Sequence, residues 1–527
     1  MGRFIKIGNA GFRAVINGGF VDKSMLIDVI NQTLNTERQY TCVSRARRFG
    51  KTIAAKMLYA YYDCWCDSDD LFEGLQIKNQ PSFPVHYHRY PVIYLDMTDF
   101  VTRYTAKELV PHIQSDVITE LRDTFPSVAY PLNANLSDTL YAIASNRTHE
   151  KFIMIIDEWD APLREYAEGS NAAEQYINLL RGLFKSATAM STFAGVYMTG
   201  ILPIKKYKTQ SALNNFHEYS AVQPGVLAEY FGFTAAEVQR LCADSRIDYK
   251  ELKEWYDGYQ IGNSKEMFNP TSVTTALYNR YCDCYWANSG AYDALSAYIR
   301  MNFDGLKDDV VRLLAGGDCH VDTTSFQNDL HIVRTKDDVL TLLIHLGYLS
   351  YDRNTKTCRI PNREVSVEFK NAIVAETGWM VIANAIKQSQ QLLNDTLNGN
   401  QQAVAKALDA IHSDNTSVLQ YNDENSLACV LSIAYYAAKK DYTLIRELPA
   451  GKGFADVLLL PRKGCLLPPI ILELKYNKSA DTAIKQIVEK RYDGELKNYA
   501  AKVVLVGINY DKKSKQHECK IQLWQMQ

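Results

Sequence analysis

Through the first two hundred residues, short apolar runs alternate with stretches whose apolar positions recur at helical spacing. Tyr40 to Val43 is a short β-like run. After a basic turn, an apolar helical pattern follows at Ile53, Met57, Leu58, Ala60 and Tyr61. Ahead of this, Val21, Asp22 and Lys23 introduce an amphipathic helix with Met25, Leu26, Val29, Ile30 and Leu34. A strand is expected from Pro91 to Leu95, ending at Asp96. A helix should follow from about Ala106 to Phe125, where Leu109, Ile113, Val117, Ile118 and Leu121 keep the period. Phe152 to Ile156 is an unbroken apolar run, the pattern of a parallel strand buried on both faces. A helix at about Ala173–Ala189 and a strand at Thr192–Thr199 complete the alternation. Alternating strands and helices predict a doubly wound parallel sheet.

From about Tyr219 to Ser350 the pattern is mainly helical, with aromatic clusters at Trp255-Tyr256-Asp257-Gly258-Tyr259 and Tyr285-Trp286. Leu342–Leu349 and Cys358–Ile360 read as a closing hairpin. Helices are expected from Glu368 to about Lys440, with a Gln/Asn-rich interval at 388–402 marking a boundary. Strands return at Tyr442–Leu448, Val457–Leu460, Pro469–Lys475 and Lys502–Gly507, with a helix at Ala480–Tyr492. The expected organisation is an α/β multidomain chain. Residues 1–218 form a P-loop parallel sheet, 219–362 a helical or winged-helix-like lid or middle domain, and 363–527 a helical connector plus a second α/β domain.

The turn after the first strand reads SRARRFGKT, residues 44–52. Strand, turn, Gly50-Lys51-Thr52 and helix is the setting a phosphate-binding loop requires. Gly50 lets the backbone approach the phosphates. The Lys51 ammonium can reach the β/γ-phosphates, and the Thr52 hydroxyl can hold Mg²⁺. Arg45 stands where the first glycine of such a loop usually stands, so by motif rules alone the loop is degenerate. A basic turn before an ordinary helix is the bland alternative. Arg47, Arg48 and Phe49 join the ATP-binding positions, and Arg45, Arg47 and Arg48 could either clamp ATP or face a partner that governs hydrolysis. The apolar run at 152–156 ends in Asp157 and Glu158, the Walker B arrangement. Asp157 would hold Mg²⁺ through water, and Glu158 would polarise the attacking water. A strand-helix unit between the two motifs points to the RecA/AAA-like division of P-loop ATPases. In that division the strand after Walker B ends in a polar sensor, for which Thr199 is the candidate. Lys205 and Lys206 are either a γ-phosphate or partner contact or a solvated pair.

A second constellation lies near the C-terminus. Gly453-Phe454-Ala455-Asp456 leads into one strand, and PIILELK, residues 469–475, forms the next. Period-two geometry puts Glu473 and Lys475 on one face, and a hairpin can bring Asp456 beside them. Two carboxylates and an ammonium on adjacent strands suit a hydrated Mg²⁺ and an activated water. A helix carrying Gln486 and a further strand follow. This is the layout of the PD-(D/E)XK nuclease core, with Asp456 and Glu473 as metal ligands and Lys475 orienting the nucleophile or stabilising developing charge. The bland alternative is an edge strand with alternating surface charges.

Composition changes this picture little. The chain has 527 residues and a formal net charge of −2, so a nucleic-acid site would have to be a local patch. The 11 cysteines are scattered and odd in number, which fits a reducing compartment. No signal peptide and no membrane-spanning run is read, so a cytoplasmic protein is expected. His86 and His88 in VHYHRY would share a strand face but have no third ligand nearby. Cys64-x-Cys66 and Cys282-x-Cys284 lack zinc-knuckle spacing, and Cys319-His320 is isolated.

VDKS at 21–24, SRARRFGKT, IIDEWDAPL at 155–163, TGILPI at 199–204, WYDGY at 255–259 and GKGFADVLLL…IILELK together resemble one bacterial family. Its members pair a divergent AAA-ATPase-like domain with a C-terminal PD-(D/E)XK nuclease-like domain. The resemblance spans nearly the whole sequence. An arginine-rich RRFGK loop is usual in that family, so Arg45 is expected there, although Ala46 stands where proline is common. The resemblance implies ATP binding and hydrolysis, and a fold that acts on DNA or derives from enzymes that do. The expected function is an ATP- and Mg²⁺-dependent nuclease acting on nucleic acid, DNA before RNA, with a homo-oligomer left open. The competing expectation is a nucleotide-gated regulator that binds DNA or protein and whose nuclease site is silent.

Overall fold

The structure, a computed structural model, describes residues 2–525 apart from 147–150, 167–170, 205–212, 244, 246, 263, 287–290, 302, 304, 325, 327–332, 414–429, 451–452, 463 and 490–501; within some strands and helices, 446–450 and 453–456 among them, it describes the backbone alone. The chain forms two units, each discontinuous in sequence. One is Met1–Tyr285 with His320–Glu364, and the other is Trp286–Cys319 with Val365–Gln527.

In the first unit, β1 (Tyr40–Ser44), β2 (Val92–Asp96), β3 (Phe152–Asp157), β4 (Phe193–Gly200) and β5 (His217–Tyr219) form one parallel sheet in the order β2-β3-β4-β1-β5. Every residue of β1, β3 and β4 is buried. Their side chains alternate between two separate cores. Cys42, Met154, Ile156 and Met198 enter one, and Val43, Ile153, Ile155 and Tyr197 enter the other. That is why Phe152–Ile156 reads as an unbroken apolar run: helices cover both faces. The second core also holds Ala54, Ala55, Met57 and Leu58 of the helix Lys51–Tyr62. Asp157 follows Ile153 and Ile155 at period two, so it emerges on the side of that helix.

The expected strands at 91–96 and 192–199 are present within a residue or two. The helix expected at 106–125 is Leu109–Thr124, preceded by a shorter one, Met97–Arg103, capped by Asp96 accepting from Thr98 N–H. The VHYHRY segment is not a strand. Phe83–His86 is a turn of helix and His88 has φ +55, so the two histidines share no strand face. His86 Nδ1 instead lies 2.8 Å from the Tyr90 hydroxyl. Residues 342–346 end a helix, Lys336–Leu346, in place of the first arm of a hairpin.

The rest of this unit is a small layer. β6 (Phe233–Thr234), β7 (Tyr259–Ile261) and β8 (Ser264–Phe268) form an antiparallel sheet in the order β6-β8-β7. Helices Ala235–Cys242, Tyr249–Tyr256 and Pro270–Asn279 share a core built on Val238, Leu252, Tyr256, Phe268 and Val273. A hairpin of β9 (Ser350–Asp352) and β10 (Thr357–Arg359) follows. Gly258 of the WYDGY cluster has φ +96, and a Cβ there would lie 1.9 Å from the Pro361 carbonyl oxygen. Both the left-handed backbone and a backbone atom oppose any side chain. Gly258→Ala is therefore expected to destabilise this unit by about 2–4 kcal/mol in urea unfolding; an unchanged midpoint would refute the close approach.

In the second unit, β11 (Tyr442–Ala450), β12 (Gly453–Pro461), β13 (Ile470–Tyr476), β14 (Lys502–Asp511) and β15 (Gln516–Gln525) form a mixed sheet in that order. β13 and β14 run parallel and the other neighbours antiparallel. The parallel pair flanks the helix Ala480–Glu489, whose Ile484 and Ile487 pack on Leu458, Ile471, Val503 and Leu505. The helix sits close because β14 offers Gly507, where a Cβ would meet the Ala480 carbonyl at 2.4 Å.

Candidate functional site

The SRARRFGKT loop joins β1 to the helix Lys51–Tyr62. Gly50 occupies the N-cap with φ +87 and offers no side-chain cap, which leaves the first helical N–H groups to an incoming anion. Arg48 also has positive φ, +69. The loop is pinned on both sides. Phe49 is 2% exposed and meets the Tyr259 ring edge-on at 5.0 Å. Arg48 Nη1 donates to the Tyr285 carbonyl at 2.7 Å. Beside the loop is a cavity of about 710 Å³, lined by residues Arg47 to Thr52, by Glu158 and Arg164, and by Phe20, Met57 and Tyr230. A charged floor with an apolar wall suits a ligand with both phosphates and a flat ring.

Arg45 does not take part. It is 1% exposed and turned into the core, where Nη1 donates to the carbonyls of Ser44 and Tyr219 at 2.9 and 2.8 Å. Its guanidinium lies 5.6 Å from the Phe231 ring centre, and burial lowers its pKa to about 10. It stitches β1 to β5. The expectation that Arg45 clamps ATP or faces a partner is therefore corrected, and of the three loop arginines only Arg47 and Arg48 border the cavity.

β3 delivers the carboxylates. Asp157 is 1% exposed, accepts from the Tyr94 hydroxyl at 3.0 Å and is hydrogen-bonded by the Thr52 hydroxyl. Burial, and then the neighbouring Glu158 charge, push its carboxyl up to about 6. Glu158 takes φ +50, which swings its side chain away from the strand direction. Glu158 Oε1 lies 3.5 Å from Lys51 Nζ and Oε2 lies 3.1 Å from Arg164 Nη2. Lys51 Nζ also donates to the Ala46 carbonyl at 3.1 Å. Thr199 is the register partner of both Val43 and Asp157, so it stands between the loop strand and the acidic strand. Its buried hydroxyl has no hydrogen-bond partner among the described residues. Lys205 and Lys206 lie outside the described residues.

Sequence reasoning missed three members of this site: Tyr94, Asp160 and Arg164. Asp160 is fully buried and accepts from the backbone N–H groups of Ile201 and Leu202. Arg164 sits four residues later on the next helical turn and pairs with it. That i,i+4 spacing of opposite charges was the available signal. Nothing in the sequence pointed to Tyr94.

In the second unit, Glu473 and Lys475 lie on β13, the central strand, and are 1% and 7% exposed. Lys475 Nζ donates to Glu473 Oε1 at 3.0 Å. The two share a face as period two requires, and the edge-strand alternative is excluded by their position and burial. The ladder between β12 and β13 ends at the pair Val457–Leu472, so Asp456 and Glu473 are each the next residue beyond its last pair; the Asp456 side chain is outside the described residues. Gln486 is half-buried on the helix Ala480–Glu489. Among the described residues, no three His, Cys, Asp or Glu side chains converge as a metal cluster.

The fold combines a parallel-sheet α/β unit in one chain with a mixed-sheet α/β domain. Residues 6–209 match the model of a family described as a predicted AAA-ATPase, and residues 422–520 match that of the PD-(D/E)XK nuclease superfamily. The chain thus carries an N-terminal AAA-ATPase-like domain and a C-terminal PD-(D/E)XK nuclease-superfamily domain. Among solved structures it is similar to the ORC2 protein of Aeropyrum pernix, in ADPNP–ADP complexes, at 12% identity and TM-score 0.32, covering 71% of this chain and 100% of that one. It is also similar to AMPPCP-bound DnaA of Aquifex aeolicus at 10% identity and TM-score 0.25, covering 79% and 92%. Likeness at this level carries no further conclusion. No curated protein matches the chain.

Proposed function

We propose that the N-terminal unit binds ATP with Mg²⁺ and hydrolyses it, and that the C-terminal domain cleaves phosphodiesters in nucleic acid, DNA before RNA. The observation that carries this reading is the presence, in one chain, of two anion-handling constellations in matching strand contexts. In the first, Lys51, Thr52 and Glu158 border one cavity, with Asp157 behind Thr52. Lys51 would hold the β/γ-phosphates, Arg47, Arg48 and the loop backbone would cradle them, and Glu158 would take a proton from the attacking water. Thr199 Oγ1 would report on the γ-phosphate or the water beside it. In the second, Glu473 and Lys475, with Asp456 of the neighbouring strand, would hold and activate the water that attacks phosphorus.

The donor chemistry fits Mg²⁺. Thr52 and Asp157 supply oxygen donors only, and the Asp157 carboxylate is buried with no cation paired to it among the described residues. When bound there, the ion would neutralise phosphate charge. Asp456 and Glu473 would hold the second ion by the same oxygen chemistry.

A pH test follows from Asp157. Its folded pKa of about 6 lies above the ordinary aspartate value of about 3.9. Protonation therefore favours the folded state: this stabilising contribution is full below the unfolded pKa and is lost as pH rises through about 6. Metal binding requires the anion, so Mg²⁺-dependent nucleotide affinity is expected to fall about tenfold per pH unit below about 6. Calorimetric titrations from pH 5 to 7.5 measure it. Asp157→Asn should flatten the profile, and a flat wild-type profile would remove Asp157 from the metal site.

The second reading is a nucleotide-gated regulator with a silent nuclease site. It is favoured by the closed Glu473–Lys475 ion pair, which leaves Lys475 committed to the carboxylate. Cleavage of plasmid and single-stranded DNA with Mg²⁺ or Mn²⁺, with and without ATP, separates the two. Cleavage that depends on Lys51 and Glu473 supports the enzyme; ATP binding with no cleavage under any condition supports the regulator. Free cysteines agree with a reducing cytoplasm, and no helix among the described residues is long and apolar enough to cross a membrane.

A further inference from the structure

Glu158 meets the cavity with both carboxylate oxygens engaged by cations. Lys51 Nζ is 3.5 Å from Oε1 and Arg164 Nη2 is 3.1 Å from Oε2. Arg164 belongs to the helix Ala161–Glu165 directly after the acidic strand, is 10% exposed at its side chain, and lines the same cavity as Lys51, Thr52 and Glu158. Its Nε donates to Asp160 Oδ2 at 3.0 Å and its Nη1 lies 3.3 Å from Glu165 Oε1. Asp160 cannot follow a moving partner, because the N–H groups of Ile201 and Leu202 fix it just beyond β4. The guanidinium is thus anchored at Nε on a rigid carboxylate, while Nη2 holds a carboxylate that is 21% exposed.

We propose that Arg164 is an arginine supplied to the ATP site by its own chain: it holds Glu158 as an ion pair and, when ATP binds, passes its Nη groups to the γ-phosphate oxygens. The proposal rests on the ATPase reading above. A triphosphate brings more negative charge into the cavity than one carboxylate, and it competes for the two cations that hold Glu158. A planar guanidinium can turn its Nη edge to a phosphate while Nε keeps Asp160. Releasing Glu158 converts an ion-paired carboxylate into an available base. The water oxygen then bonds to Pγ as the bond from Pγ to the bridging oxygen breaks. The water proton goes to Glu158, the electron pair of the broken bond leaves with ADP, and Arg164 and Lys51 take up charge on the γ-oxygens. Since this arginine is intramolecular, hydrolysis needs no second subunit.

The test compares the full-length wild type with Arg164→Ala and Arg164→Gln. Gln guards against misfolding, since it can still donate to buried Asp160 while lacking the charge. Calorimetry would give affinities for ADP and for a non-hydrolysable ATP analogue, and a phosphate-release assay would give turnover. The expected result is ADP affinity within about twofold of wild type in both variants, with analogue affinity lower by about tenfold or more. Turnover should fall about 100-fold or more, and wild-type turnover per molecule should not change with protein concentration. The affinity ratio decides even where turnover is too slow to read. Equal losses for ADP and analogue, or no loss for the analogue, would overturn the role of Arg164 and leave the ATP site standing. Turnover per molecule that rises with concentration would overturn its self-sufficiency. A wild type that binds neither nucleotide would remove the ATPase reading and this proposal with it.

Discussion

Glu158→Gln is expected to lower ATP turnover about 100- to 1,000-fold while ATP continues to bind. The substitution keeps the shape of the side chain and its left-handed backbone at φ +50, so the loop around it should not collapse. What disappears is the acceptor for the water proton and, with it, the ion pairs to Lys51 and Arg164. Both cations then become more available to phosphate, so binding should hold or tighten. Turnover by phosphate release and affinity by calorimetry check the two halves separately. Unchanged turnover would take Glu158 out of the role of base.

The second large effect lies in the C-terminal domain. Glu473→Ala removes the carboxylate to which the buried Lys475 ammonium donates, and Lys475→Ala removes that ammonium from the buried Glu473 carboxylate. Each single change is expected to cost about 3–5 kcal/mol of stability and to abolish cleavage. Replacing both, as Glu473→Gln with Lys475→Met, removes the charges together and should restore most of the stability without restoring cleavage. Denaturant unfolding and plasmid cleavage on the same preparations separate fold from chemistry. DNA cleavage surviving in a well-folded double variant would place the nuclease site elsewhere.

Arg45, Arg47 and Arg48 show how far the sequence could be read. All three stand in one basic turn, and motif spacing treats them alike. Their fates differ: Arg45 is in the core, Arg47 is exposed, and Arg48 reaches the Tyr285 carbonyl. Which way a loop side chain turns depends on carbonyls and rings that arrive from distant segments, here Tyr219 and Phe231. The same limit explains VHYHRY, where alternating histidines suggested a strand but local turns formed instead.

Local and periodic features were legible from the order of residues alone. An unbroken apolar run marked β3 because both faces of a parallel sheet are covered, and period two put Glu473 and Lys475 on one face. Gly50-Lys51-Thr52 after a strand, and Asp157-Glu158 at the end of another, were legible because contiguous residues carry both motif and setting. The position of β4 between β1 and β3, the central place of β13 and the sharing of Glu158 by Arg164 and Lys51 emerged with the folded chain. Strand order and ion pairing join residues far apart in the chain or across a turn. Periodicity shows that a side chain is buried, but the partner a buried charge finds is set by the segments that fold against it.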